Sequence, residues 1–135
     1  MTTVVVDSSA FVDTIAQPLR RGGRVLEHLE AFDEWWAPEC FDAEVAQGLR
    51  HQLLRGALTA PAFVQEMREL SRLAIGRIPV GPLLGRVAAL SPSVTAYDAS
   101  FVAVAELLDA PLLTTDARLA RAPGPRCEFL LVEGN

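Results

Sequence analysis

Two carboxylates of this sequence directly follow predicted β-strands. Asp7 comes after the apolar run of residues 4–6, and Asp116 follows the run of residues 111–115. Both runs have the β-branched or aliphatic character of buried strands in a parallel sheet. Functional sites of open α/β sheets form just beyond the carboxyl ends of such strands, so we expect the two side chains to lie close together. Carboxylates placed this way repel each other unless a cation lies between them, and hard oxygen ligands suit Mg²⁺ or Mn²⁺.

Two further acidic residues belong to predicted helices. Asp98 lies in the first turn of the helix predicted for residues 95–108. Glu44 lies within a helix that we expect to begin at Pro38, because proline is favoured in the first helical turn.

Each of the four acids also has a structural explanation. Asp7 and Asp116 are at positions where aspartate caps a helix. Asp98 could form a capping box with Thr95, three residues earlier. Glu44 could simply face solvent. One by one these explanations are at least as good as a functional one, whereas the occurrence of all four together favours a metal site.

The elements that must position these acids alternate along the chain, which predicts an α/β fold. Residues 1–135 are expected to form a single domain, built on a central parallel sheet of about four to five strands with helices on both faces. The predicted strands are residues 4–6, 35–37, 78–80, 111–115 and 127–132. The predicted helices are residues 8–17, 25–32, 38–56, 59–75, 82–90, 95–108 and 116–122, with a loop at residues 20–24.

The charge balance excludes some chemistries and leaves others open. The net charge is −5, and all 12 basic residues are arginine. Mechanisms that need a catalytic lysine, such as Walker-A phosphate loops and Schiff-base enzymes, are therefore excluded. Seven of the 17 acids lie in residues 25–49, where there is no arginine, so the rest of the chain carries 12 arginines against ten acids. A nucleic-acid partner remains compatible with this distribution.

Other features indicate an ordinary cytoplasmic protein. Cys40 and Cys127 are far apart in sequence and in apolar surroundings, so we expect both to be reduced, buried and inert. The N-terminus lacks the basic and apolar regions of a signal peptide, and no apolar run is long enough for a membrane helix. We therefore expect a cytoplasmic protein without membrane association.

The segments around the four acids resemble a known family. Residues 4–12, 38–45, 97–105 and 111–119 occur in the order typical of PIN domains of the VapC type, the toxins of bacterial toxin–antitoxin pairs. The most specific part is the Tyr97-Asp98-Ala99 helix followed by a strand that ends in threonine and aspartate. The resemblance covers nearly the whole chain and implies a PIN-like fold.

The resemblance also implies a function and a set of site residues. It implies an Mg²⁺-dependent endoribonuclease, with Mn²⁺ as a possible substitute, that acts as a toxin, pairs with a VapB-type antitoxin and forms a homodimer. The implied catalytic and metal-binding residues are Asp7, Glu44, Asp98 and Asp116. Ser9 and Thr114 match polar positions that support the site by hydrogen bonds. Asp42 is an alternative to Glu44, and Arg118 occupies a position where some relatives have a further acid.

Three arginines close together in the sequence are candidate RNA contacts. Arg20, Arg21 and Arg24 surround two glycines in the predicted loop and could bind phosphates at the rim of the site, or could belong to an ordinary solvated loop. One alternative function is a PIN-like scaffold or binding module without catalysis. The other is a phosphoacceptor receiver domain, a signalling module that normally needs the lysine this chain lacks.

Overall fold

A five-stranded, wholly parallel sheet forms the centre of the protein. The computed structural model describes residues 2–134. The strands are β1 (Thr3–Val6), β2 (Glu34–Pro38), β3 (Gly76–Ile78), β4 (Leu112–Thr114) and β5 (Phe129–Leu131). The helices are α1 (Ser8–Ala16), α2 (Arg21–Glu30), α3 (Phe41–Leu54), α4 (Ala60–Arg72), α5 (Leu84–Leu90), α6 (Ala96–Leu108) and α7 (Ala117–Ala120), with a 3-10 turn at Gly81–Leu83.

The strand order, β3-β2-β1-β4-β5, gives the sheet a switch point between β1 and β4. The chain builds outward from β1 to β3, then returns to the other side of β1 and builds outward again. At such a point the connections leave the two strands in opposite directions, which opens a crevice at their carboxyl ends. Asp7 and Asp116 follow these two strands, so the fold places both acids at the crevice.

Helices cover both faces of the sheet. Val4, Val5 and Val6 point alternately to opposite faces, and all three are 0% exposed. A strand buried on both sides explains why its sequence is a continuous apolar run and not an alternating one. Helix α6 is similarly enclosed, since its residues from Ala99 to Ala105 are all buried. The predicted α/β architecture is thus confirmed.

The helix start predicted at Pro38 is wrong. Pro38 ends β2, where it pairs with Ile78, and the next helix begins only at Phe41. A proline is tolerated at the end of a strand, where little of the hydrogen-bond ladder is lost.

The position predicted for the third strand is also wrong, because this strand occupies Gly76–Ile78 and not residues 78–80. Gly76 pairs with Trp36, and the indole ring takes the space that a Cβ at Gly76 would need. Because strands are recognised in a sequence by their β-branched residues, a strand that begins with glycine is not expected there.

The segment predicted as a loop at residues 20–24 is instead the start of a helix. Arg21 is the first residue of α2, and Gly22 is buried against α1. A Cβ on Gly22 would overlap the backbone carbonyl oxygen of Asp13. The two glycines are therefore required for close helix packing, although glycine in a sequence usually indicates a loop.

Gly22→Ala is expected to destabilise the protein by about 3 kcal/mol, because α1 and α2 must separate to admit the methyl group. Gly85→Ala is the matched control. Gly85 lies in α5 with nothing within 4 Å of its added Cβ, so alanine should stabilise that helix by about 0.5–1 kcal/mol. Urea denaturation measures both variants, and equal stability for the two would contradict this packing argument.

Two further predictions concern the state of the cysteines and the absence of a membrane-spanning helix. Cys40 and Cys127 are free, as predicted, but they are half-buried and not fully buried. Burial raises the pKa of both thiols to about 11, so neither is a ready nucleophile. Within residues 2–134, no helix has the length and apolar character that crossing a membrane requires.

Candidate active site

Asp7 lies at the floor of the crevice, immediately after β1. Its side chain is almost completely buried, and its backbone N–H donates to the carbonyl oxygen of Leu113 across the switch point at 3.0 Å. The hydroxyls of Thr114 and Ser9 donate to the same carboxylate oxygen, Oδ2, at 2.6 and 3.1 Å. Neither hydroxyl uses Oδ1. Thr114 and Ser9 thus both contact the carboxylate of Asp7, and their supporting role in a catalytic site stays a prediction.

The pKa of Asp7 is raised to about 6. Burial is the largest cause, and the negative charges of Asp98 and Glu44 add to it, while the two hydroxyl groups partly oppose the rise. A carboxylate this deeply buried is costly unless a cation compensates it. Within the described residues, the charged neighbours of Asp7 are the carboxylates of Asp98 and Glu44, which add further negative charge.

Glu44 reaches this group from α3. Ser8 donates its hydroxyl hydrogen to Oε1 of Glu44 at 2.8 Å, which connects the start of α1 to α3. The pKa of Glu44 is raised, chiefly by burial and also by the charge of Asp98. Ser8 is a site residue that the sequence analysis missed. The available signal was its position directly after Asp7, but a hydroxyl there is equally typical of an ordinary helix start.

Asp42, the alternative to Glu44, is engaged elsewhere. Both of its carboxylate oxygens accept from the guanidinium of Arg77, at 2.8 and 3.0 Å. The structure therefore brings Glu44 and not Asp42 to the carboxylate group.

Asp98 occupies the first turn of α6 and faces the same group. The hydroxyl of Thr95 accepts from the backbone N–H of Asp98 at 3.2 Å, so half of the predicted capping box is present. The pKa of Asp98 is raised, first by burial and then by Asp116, and Thr95 and Arg118 act in the opposite direction. The charge of Asp98 in turn raises the pKa of both Asp7 and Glu44.

Asp116 combines a capping role with a place at the site. Its Oδ1 accepts from the backbone N–H groups of Arg118 and Leu119, at 2.9 and 3.3 Å, which caps α7. Its own N–H donates to the hydroxyl oxygen of Thr114 at 3.1 Å. Because the same hydroxyl donates to Asp7, Thr114 connects the two strand-end acids.

The four carboxylates fit a divalent cation by their chemistry, although they do not form a closed cage. The ion pairs found within residues 2–134 involve none of the four. In the same part of the chain, no three His, Cys, Asp or Glu side chains converge closely enough to enclose a metal ion. An all-oxygen donor set with room for water matches Mg²⁺, which keeps several waters and is usually held by one or two carboxylates. Asp7, Glu44, Asp98 and Asp116 are therefore the residues that could hold such an ion.

The three arginines predicted to contact RNA are in different situations. Arg21 forms an ion pair with Asp13 at 2.7 Å. Arg24 donates to the backbone carbonyl oxygen of Glu133 at 2.8 Å, just beyond β5. Arg20 is exposed in the turn before α2. An RNA contact by any of them stays a prediction, and Arg21 is the least available because its guanidinium holds Asp13.

Comparisons with known proteins agree with this fold. A family model for the PIN domain matches residues 4–125. Ribonuclease VapC1 of Mycobacterium tuberculosis is 39% identical over 133 residues, covering 98% of this chain and 99% of that protein. Ribonuclease VapC9 of the same organism is 35% identical over 129 residues, covering 96% of this chain and 98% of that protein.

Solved structures share the fold at low sequence identity. A toxin–antitoxin complex from Klebsiella pneumoniae superposes with a TM-score of 0.67 at 20% identity, covering 94% of this chain and 95% of that chain. VapBC2 from Rickettsia felis, bound to a DNA fragment from its promoter, also gives a TM-score of 0.67, at 12% identity, and covers 96% and 98% of the two chains. The family match and the full-length relatives together show that this chain belongs to the PIN-domain family and, within it, to the VapC-type proteins.

Proposed function

We propose that this protein is an Mg²⁺-dependent endoribonuclease that acts as the toxin of a toxin–antitoxin pair, with residues 1–135 working as one PIN-like domain. The observation that carries the proposal is the burial of Asp7 among Glu44 and Asp98, without an ion pair in the described chain. Such an arrangement is unfavourable for stability alone and favourable for binding a cation. The ribonuclease names of the full-length relatives support RNA as the substrate.

In the proposed reaction Asp7, Glu44, Asp98 and Asp116 would hold Mg²⁺, or Mn²⁺ in its place. The bound ion would neutralise charge on the phosphodiester and lower the pKa of a water that attacks it. The chain's own contribution is orientation. Thr114 and Ser9 hold the carboxylate of Asp7, and the hydroxyl of Ser8 holds that of Glu44.

The proposed partners follow from the same relatives. Because VapC-type neighbours of this fold are found in toxin–antitoxin complexes, we propose a VapB-type antitoxin as the protein partner. We further propose a homodimer, and the cytoplasm as the place of action because the RNA substrate is there. Size-exclusion chromatography with light scattering, on the protein alone and after co-expression with any small protein encoded immediately upstream, tests both assemblies.

The function is tested by cleavage of total cellular RNA with the purified protein. We expect cleavage with Mg²⁺ and none with a chelating agent in excess. Glu44→Gln is expected to reduce kcat/KM at least about a hundredfold, because it removes one negative oxygen ligand worth several kcal/mol in the transition state. Denaturing gel electrophoresis and mapping of the new 5′ ends measure the rate and the cleavage sites.

Asp42→Asn is the matched control, two residues earlier on the same helix. It weakens a partly exposed ion pair with Arg77, so we expect a stability loss below about 1 kcal/mol and a cleavage rate within about twofold of wild type. Loss of cleavage in Asp42→Asn with full activity in Glu44→Gln would reverse the assignment. Wild-type protein that binds Mg²⁺ but cleaves no RNA would favour a scaffold without catalysis.

A further inference from the structure

Arg118 is an exposed arginine beside the carboxylate group, and it forms none of the ion pairs found within residues 2–134. It lines the same cleft as Asp98 and Asp116. The arginines that are held by carboxylates in the described chain are Arg21, Arg77, Arg86 and Arg121. The guanidinium of Arg118 is therefore close to the site and still available to an anion.

A cleft of about 300 Å³ connects Arg118 to the site. Asp98 and Asp116 line it together with Arg118, and the hydroxyl-bearing residues Ser93 and Thr95 form another part of its wall. Its remaining lining is apolar, from Val94, Leu119 and Ala122. The volume is at the lower end of the range of about 300–1,000 Å³ for small-molecule sites, so the cleft suits one nucleotide unit and not a duplex.

The composition of this cleft matches the three parts of a nucleotide. The apolar lining is narrow, since Val94 and Leu119 are nearly buried, and it can contact the edge of a base. The hydroxyl of Ser93 donates to the carbonyl oxygen of Pro123 and can still accept from a ribose hydroxyl. The hydroxyl of Thr95 accepts from the N–H of Asp98 and can still donate to a ribose hydroxyl. A guanidinium binds a phosphate through two parallel N–H···O bonds. RNA approaching four carboxylates is repelled, so a fixed positive charge at the entrance has a clear electrostatic benefit.

We propose that the cleft between residues 93–98 and 116–122 is a nucleotide subsite of the RNA-binding surface, and that Arg118 binds the phosphate of the nucleotide within it. This inference depends on the proposed ribonuclease function, and it adds where one nucleotide of the RNA lies beside the reaction centre. Arg118 is a substrate-binding residue in this proposal and does not take part in bond cleavage.

The competing explanation is structural: Arg118 would only offset the negative charges of Asp98 and Asp116. A structural counterion is expected to contribute to folding stability and to leave RNA affinity unchanged when removed. A phosphate-binding residue is expected to do the reverse, because its guanidinium is exposed and not part of an ion pair.

The test measures RNA binding separately from cleavage. In an Asp7→Asn background at constant Mg²⁺, fluorescence anisotropy records binding of labelled random-sequence single-stranded RNA over a series of salt concentrations. Arg118→Gln is expected to weaken binding about tenfold and to reduce the slope of log K against log[salt] by about 0.7, the value for one phosphate contact to a single strand. Arg118→Lys keeps the charge without the fork and should restore the slope and only part of the affinity.

Arg121→Gln is the matched control, three residues further along the chain. Its side chain is 70% exposed and pairs with Glu133, so we expect less than a twofold change in affinity and an unchanged slope. In the active protein, Arg118→Gln should raise KM about tenfold and change kcat by less than about threefold. Thermal unfolding of each variant checks the fold.

The outcomes separate this inference from the proposed function. If the wild-type protein cleaves RNA and Arg118→Gln binds RNA like Arg121→Gln, the subsite is wrong and the ribonuclease stands. A lower melting temperature for Arg118→Gln with unchanged RNA affinity would establish the structural explanation instead. If wild-type protein does not cleave RNA but Arg118→Gln alone loses RNA affinity, the ribonuclease proposal fails and the binding site stands.

Discussion

Asp98→Asn is expected to reduce Mg²⁺-dependent RNA cleavage by at least about a thousandfold while leaving the protein folded. Asp98 is the most central of the four acids: its charge raises the pKa of both Asp7 and Glu44, and the charge of Asp116 raises its own after burial. Removing that charge weakens the attraction of the whole group for a cation. A loss of several kcal/mol in transition-state stabilisation corresponds to about a thousandfold in rate.

The matched control for this variant is Asp109→Asn, at the other end of the same helix. Asp109 caps α6 in a left-handed conformation, with φ of 50°, which asparagine adopts readily. We expect unchanged cleavage for Asp109→Asn and melting temperatures close to wild type for both variants. Single-turnover cleavage at saturating Mg²⁺ is the measurement, and activity of Asp98→Asn within tenfold of wild type would remove Asp98 from the catalytic group.

The strand-end acids could be located from the sequence because their positions depend on topology. Residues 4–6 form a continuous apolar strand, so the residue after them must lie at an edge of the sheet. The same argument places Asp116 after β4, and the parallel order brings the two edges together. For Asp98 the sequence offered the Thr95 cap as a structural explanation, and the structure shows that cap together with a place near Asp7 and Glu44.

Contacts between distant segments could not be located in this way. The bond between Ser8 and Glu44 joins residues 36 positions apart, and no local pattern indicates which helix residue will meet that hydroxyl. The start of α2 was missed because the glycines serve close packing and not a turn: Gly22 packs against the backbone of Asp13, and Gly23 against that of Pro18. Pro38 was assigned to the wrong element because both a helix start and a strand end tolerate proline.

The sequence did not distinguish Asp42 from Glu44 for a related reason. Both carboxylates lie in the first turns of α3, two positions apart, and therefore on different sides of the helix. What separates them is Arg77, which belongs to β3, an element that the sequence placed two residues too late. Which of the two acids of α3 reaches the site thus depends on the position of Arg77, a basic residue on β3.

The metal-free protein is expected to lose stability as the pH rises through the range in which Asp7 ionises. The pKa of Asp7 is raised from 3.8 to about 6 in the folded protein, so the folded state binds the proton more tightly than the unfolded state does. The stabilisation is therefore complete below about pH 4 and is lost by about pH 6, and it amounts to about 3 kcal/mol for a difference of about two pKa units. Urea denaturation in the presence of a chelating agent, at intervals across this range, measures the loss.

Asp7→Asn should remove the part of this pH dependence that Asp7 contributes and leave the part that comes from Glu44 and Asp98, whose pKa values are also raised. It should also raise the stability of the metal-free protein at neutral pH by about 3 kcal/mol, or about 10 °C in melting temperature. An asparagine oxygen can accept from Thr114 and Ser9 as Oδ2 of Asp7 does, so both hydrogen bonds are kept while the buried charge is lost. Asp13→Asn is the control with the opposite sign. Asp13 is also buried but is paired with Arg21 at 2.7 Å, so its neutralisation should cost about 1–2 kcal/mol.

Mg²⁺ should then stabilise the wild-type protein and Asp13→Asn, and should have a much smaller effect on Asp7→Asn, because a ligand stabilises only the folded state that binds it. Without metal at neutral pH, wild-type protein would thus be less stable than Asp7→Asn. With Mg²⁺, wild-type protein would gain strongly in stability and Asp7→Asn would not. If Asp7→Asn lowers the metal-free stability as Asp13→Asn does, Asp7 is a structural residue and the crevice is not a cation site. A gain in stability together with the loss of cleavage would instead show that the charge at Asp7 is retained for catalysis at a cost to the fold.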